Sequence, residues 1–155
     1  ARGRAHRRRN KAVGEWLHRY LEPKECDADG ELAHKADILQ QLKPLLPARS
    51  AWPALFQMRA CYLLGRFADA IAATGTLSAD RLSPPQQEEL ARTVVSCHLQ
   101  LEQWAAAEAF IKTIARRQPK IPELRDWLIA ARAGRRLTKP LPATTQPVTT
   151  MPVRA

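Results

Sequence analysis

The sequence has little that would hold or drive a reaction. Its three cysteines, Cys26, Cys61 and Cys97, are odd in number, far apart and never spaced Cys-x-x-Cys. That argues against a disulfide framework and predicts a reducing compartment. No Gly-rich phosphate loop, no Gly-x-Gly-x-x-Gly turn and no Gly-x-Ser-x-Gly elbow occurs. His6, His18, His34 and His98 have no metal-ligand spacing. No run approaches the roughly 18 uninterrupted apolar residues of a membrane span. The start, "ARGRAHRRRNKAVGEWL", lacks the apolar stretch of about seven to fifteen residues that a secretory signal needs. From these absences no catalytic residue, metal, cofactor or small-molecule substrate is expected, and the chain is not expected to be an enzyme.

Acidic residues are missing from both ends. Residues 1–11 carry Arg2, Arg4, Arg7, Arg8, Arg9 and Lys11 without one, and residues 134–155 carry Arg135, Arg136, Lys139 and Arg154 without one. These ten cations account for the whole formal charge of +10, because the remaining bases balance all 15 acids. The expected organisation is a basic N-terminal arm (1–11), a neutral helical body (12–134) and an extended basic tail (135–155). The tail, "RRLTKPLPATTQPVTTMPVRA", has four prolines and five threonines and cannot form a core. Flexible basic arms on a neutral body suit a polyanion, since each neutralised phosphate releases counterions without needing a rigid surface. RNA is the leading candidate, contacted through Arg2, Arg4, Arg7, Arg8, Arg9, Lys11, Arg135, Arg136 and Lys139; anionic lipid is the second. A purely solubilising role is the bland alternative. The Arg-rich start also resembles the end of an organellar transit peptide or the residues just after its cleavage.

Between the ends the apolar residues recur with helical period. Val13, Trp16, Leu17, Tyr20 and Leu21 form one face of a first helix, which Pro23 stops. Asp29-Gly30 opens a second helix with the stripe Leu32, Ala36, Leu39, Leu42 and Leu46. Trp52-Pro53 begins a third, through Leu55, Met58 and Tyr62 to Gly65. Phe67 to Ala73 is a short fourth, closed by Gly75 in a left-handed position. Ser83-Pro84-Pro85-Gln86 reads as a capping box for a fifth helix, with the face Leu90, Val94, Cys97 and Leu101. A sixth carries Trp104, Ala107, Ile111 and Ile114, and a seventh, opened by Pro122, turns Leu124, Trp127, Leu128 and Ala131 inward and stops at Gly134. No segment alternates with period two, so the fold class is all-α, with about seven helices.

Short connections at Gly65 and near Glu102 predict antiparallel hairpins. At both, an aromatic is followed three residues later by alanine: Phe67 and Ala70, then Trp104 and Ala107, 37 residues on. The aromatic fills the bend and the alanine permits close helix approach. With Gly65 before the first aromatic and Pro119 closing the second unit, residues 53–119 resemble the tetratricopeptide repeat family, whose units are helix pairs of 34 residues. Glu102 stands where that family has its turn glycine, and the tryptophan and leucine-glycine signature of the first helix is lacking. The resemblance implies an interaction scaffold that presents a concave surface to protein partners.

Two local motifs are better read as structure than as chemistry. "ECDADGEL" aligns Asp27, Asp29 and Gly30 with a calcium loop, but Glu25 stands at its first position and Ala36 at its twelfth, so a helix-capping loop is expected. Cys97 and His98 are adjacent on a helix and point about 100° apart, which predicts a buried thiol rather than a nucleophile. Trp16, Trp104 and Trp127 lie on apolar stripes and Trp52 precedes a helix, so core packing is expected for all four rather than base stacking. The resulting expectation is a structural subunit of a large assembly, a mitochondrial ribosome or related ribonucleoprotein in the matrix, its body touching proteins and its ends touching RNA. The alternative is a peripheral scaffold subunit of a mitochondrial membrane complex of the respiratory chain or ATP synthase.

Overall fold

In the computed structural model, which describes residues 2–47 and 50–138 and the side chains of 12–47 and 50–137, the chain is built from seven α-helices and two short 3-10 turns. No strand occurs among the described residues. The helices are α1 (Arg2–Leu21), α2 (Asp29–Leu42), α3 (Trp52–Leu63), α4 (Phe67–Ala73), α5 (Pro84–Gln100), α6 (Trp104–Arg117) and α7 (Leu124–Thr138). They divide after Leu101 into two compact units.

The first unit is α1 to α5. One of its buried clusters is Leu21, Leu39 and Phe56, with Leu17, Ile38, Leu42 and Trp52 packed around them. Pro44 ends α2 early: lacking an N–H, it cannot bond back along the helix, and Lys43–Leu45 tighten into a 3-10 turn. Leu46 therefore does not continue the α2 stripe as the periodicity predicts. Helix α3 is buried on most sides, at Pro53, Ala54, Leu55, Phe56, Met58, Ala60 and Cys61, because α2, α4 and α5 all pack against it. Helix α5 begins as its sequence demands. Ser83 Oγ accepts from the Gln86 amide at 3.4 Å while the Ser83 amide donates to Gln86 Oε1 at 3.0 Å. Its buried face is Ala91, Val94, Val95 and Cys97, rotated from the expected stripe so that Leu90 and Leu101 are half-buried.

Polar ties add to this core. The Arg59 guanidinium on α3 donates from Nε to Glu89 Oε1 on α5 at 2.7 Å, its Nη2 lies 2.6 Å from the same oxygen, and Glu22 stands 3.6 Å away. It also lies 5.2 Å from the Phe56 ring centre. Lys35 donates to the Glu22 carbonyl at 3.0 Å and pairs with Asp27, anchoring the loop between α1 and α2. Asp27 Oδ2 accepts from the Lys24 amide as well, at 2.9 Å. These bonds hold the Asp27 carboxyl below its usual range, Lys35 contributing most.

The second unit pairs α6 with α7 as an antiparallel hairpin: Trp104, at the start of α6, meets Gly134, near the end of α7. Gly134 does not stop the helix, as its place in the sequence suggests. It is buried, and a Cβ there would stand 2.5 Å from the Trp104 ring, so the glycine makes room for the indole. The helix runs on to Thr138. Gly75, expected in a left-handed cap, has no positive φ; α4 ends on Thr74 in a right-handed helical conformation.

Candidate functional site

The repeat-packing residues form two turns that are alike. Gly65 has φ +78°, and Glu102, at the corresponding place before the second aromatic, has φ +57°. The next residues agree as well: Arg66 at φ −88°, ψ 71° and Gln103 at φ −89°, ψ 68°. The second turn thus keeps the left-handed backbone of the first while carrying a side chain that disfavours it. Phe67 packs edge-on against Tyr62 with centroids 5.8 Å apart, and Ala70 and Ala107 are fully buried. Pro119 lies exposed in the turn between α6 and α7. The fold is helical and repeat-like in this concrete sense.

The predicted cationic residues fall differently from the expected flexible arms. Arg2, Arg4, Arg7, Arg8, Arg9 and Lys11 all lie on the backbone of α1, which begins at Arg2 instead of just before Val13. At the other end Arg135 and Arg136 are exposed residues of α7's last turn, not of an extended tail. Lys139, with the remainder of the Pro/Thr-rich segment, lies outside the described residues. Arg135 is also engaged within its own unit: Glu108 Oε2 accepts from its Nη1 at 3.3 Å, and Glu108 Oε1 accepts from Arg132 Nε at 3.2 Å with Lys112 at 3.4 Å. Arg132 first, and then Lys112, hold the Glu108 carboxyl below its usual range, and the three cations around one carboxylate leave this edge of the hairpin positive.

Trp16 overturns the expectation that every tryptophan packs in the core. Val13, Trp16 and Tyr20 are 52%, 60% and 47% exposed. The indole and phenol stack face to face, centroids 5.1 Å apart and planes 5° from parallel. The five apolar positions of α1 span too wide an arc for one contact, and only Leu17 and Leu21 reach the core. Trp52 behaves as expected, tilted against Phe56 at 5.4 Å with the His18 ring 5.0 Å away. Spacing alone contained the stripe 13, 16, 20; which of two overlapping stripes is covered depends on where α2 and α3 dock.

The remaining chemistry is quiet. Burial, and secondarily Cys61, pushes the Cys97 thiol up to about 11, where it is no nucleophile near neutral pH. Asp27 of the calcium-like loop is taken by Lys35, and no cluster of His, Cys, Asp and Glu able to hold a metal occurs among the described residues. No described helix is long and apolar enough to cross a membrane. A groove of about 430 Å³ bounded by α2, α3 and α4 is lined by Asp37, Lys43, Arg66 and Asp69, which carry both signs and single out no charged ligand. Comparison with known protein families, curated proteins and solved structures finds no match to this chain.

Proposed function

We propose that this chain is a non-catalytic scaffold subunit of a mitochondrial ribosome or related ribonucleoprotein in the matrix, with a tetratricopeptide-like helical body that contacts protein subunits and basic ends that contact RNA. The observation that carries this reading is the segregation of charge. The whole excess of +10 lies in two acid-free end segments around a body whose acids and bases balance, the distribution that a polyanion recognises by counterion release. Repetition of the Gly65 turn at Glu102 supports the repeat-like body. The helical backbone of residues 2–11 gives the first cations a regular spacing of about 1.5 Å per residue along one axis.

The test is sedimentation of native lysate with and without RNase. The protein is expected to travel with an RNA-containing particle and to shift when the RNA is digested. Retention in an RNase-resistant membrane complex overturns the proposal in favour of a peripheral membrane-complex subunit.

A further inference from the structure

Helix α1 carries two features on one axis: a cationic first half and an exposed aromatic pair in its second half. The pair is a platform, since the parallel rings of Trp16 and Tyr20 cover one face of each other and both side chains remain about half exposed. Counting back at 3.6 residues per turn, positions 9 and 2 fall on the same line of the helix as Trp16. Between Arg2 and Lys11 there are six cations and no acid; Glu15 is the helix's one acidic residue. Resting on the RNA reading above, we propose that α1 is a single-stranded RNA site, in which the Trp16–Tyr20 pair stacks an unpaired base and the preceding cations track the adjoining phosphates.

The chemistry selects this occupant over two others. A helix lying in a lipid surface needs large apolar side chains along its length, yet residues 2–11 offer only Gly3 and Ala5 as non-polar positions. The carboxylates of an acidic peptide would answer the cations but would not extend a parallel ring stack. A nucleotide supplies both a π-face and a phosphate. Because a duplex base is already stacked on both sides, the platform distinguishes unpaired RNA from duplex.

The experiment uses the full chain and labelled RNA, an oligoadenylate of about twelve nucleotides and a blunt duplex of the same length, in a salt series. Wild-type protein is expected to favour the single strand. Trp16→Ala should weaken single-strand binding roughly tenfold, with duplex affinity and salt slope unchanged, and Trp16→Phe should recover most of the loss. Replacing Arg7, Arg8 and Arg9 together by Ala should lower the slope of log affinity against log salt by about two. Crosslinking wild-type protein to an oligonucleotide containing 4-thiouridine tests the same contact without a variant, and the expected adduct is on the peptide 12–19, which contains Trp16. Equal loss on both RNAs, no loss for Trp16→Ala, or adducts only elsewhere overturns the platform while leaving the RNA reading intact. Failure of the wild type to bind either RNA at low salt removes that reading itself. Binding to phosphatidylserine vesicles that depends on Trp16, with RNA affinity unaffected, reassigns the face to lipid.

Discussion

At the scale of single residues, two positions have stability effects whose sign runs against simple rules. Gly134 lies inside α7, where replacing glycine by alanine ordinarily gains up to about 1 kcal/mol of helix propensity. Here the new Cβ would stand 2.5 Å from the Trp104 ring, a rigid group with no flexible end to yield. Gly134→Ala is expected to lose about 1–3 kcal/mol, as overpacked sites do, read as a lower midpoint in urea denaturation. A gain would mean that the indole moves aside freely. Glu102 is the converse case. Its φ of +57° is unfavourable for a residue with a Cβ, so Glu102→Gly is expected to raise stability by up to about 1 kcal/mol, less than the full strain because glycine also frees the unfolded chain. Thermal denaturation of Glu102→Gly beside Gly65→Ala, which should move the other way, checks both turns at once.

Among the elements, α3 decides the first unit, because it touches α2, α4 and α5 and carries Arg59, a cation that bridges to Glu89 on α5 and to Glu22 just past α1. Arg59 is half-buried, and its planar fork puts two nitrogens within 2.7 Å of one Glu89 oxygen. Arg59→Ala is expected to cost about 1–2 kcal/mol, partly by leaving Glu89 half-buried without its partner. Arg59→Lys should recover only a small part, since a lysine ammonium cannot reproduce the fork or its place beside the Phe56 ring. Equal stability of the Lys variant and wild type, measured by urea denaturation, would show that charge alone suffices. Helix α1 behaves in the opposite way. It gives Leu17, His18 and Leu21 to the core, which leaves Val13, Trp16 and Tyr20 available to a partner.

For the whole molecule the electrostatics set the pH response. Asp27 and Glu108 both have carboxyls held below their ordinary values, by Lys35 and by Arg132 respectively. The unfolded chain therefore binds protons at a higher pH than the folded one. The stability these groups contribute is complete above the ordinary carboxylate pKa of about 4 and is lost as pH falls through the folded values. A net charge of +10 adds self-repulsion as the other acids protonate. The midpoint of thermal unfolding is expected to hold steady near neutrality and to fall steeply below about pH 4. Asp27→Asn should flatten the acid limb, and an unchanged limb would show that the Lys35 pair does not differ between the folded and unfolded chain.

Patterning along the chain determined the helical class, most helix boundaries, the capping box at Ser83 and the division of charge, because propensity, caps and prolines act within a few residues. The likeness between the turns at Gly65 and Glu102 was legible for the same reason, although only the backbone angles showed that Glu102 accepts a glycine's conformation. Tertiary structure alone decided which face of α1 is covered and what Gly134 is for. A periodic stripe states that a face is apolar, not which neighbouring helix reaches it. Trp16 and Trp104 are alike in sequence pattern, yet one stands 60% exposed in a ring stack and the other lies against a buried glycine 30 residues away. Contacts between residues so far apart depend on how helices dock, and periodicity carries no record of that.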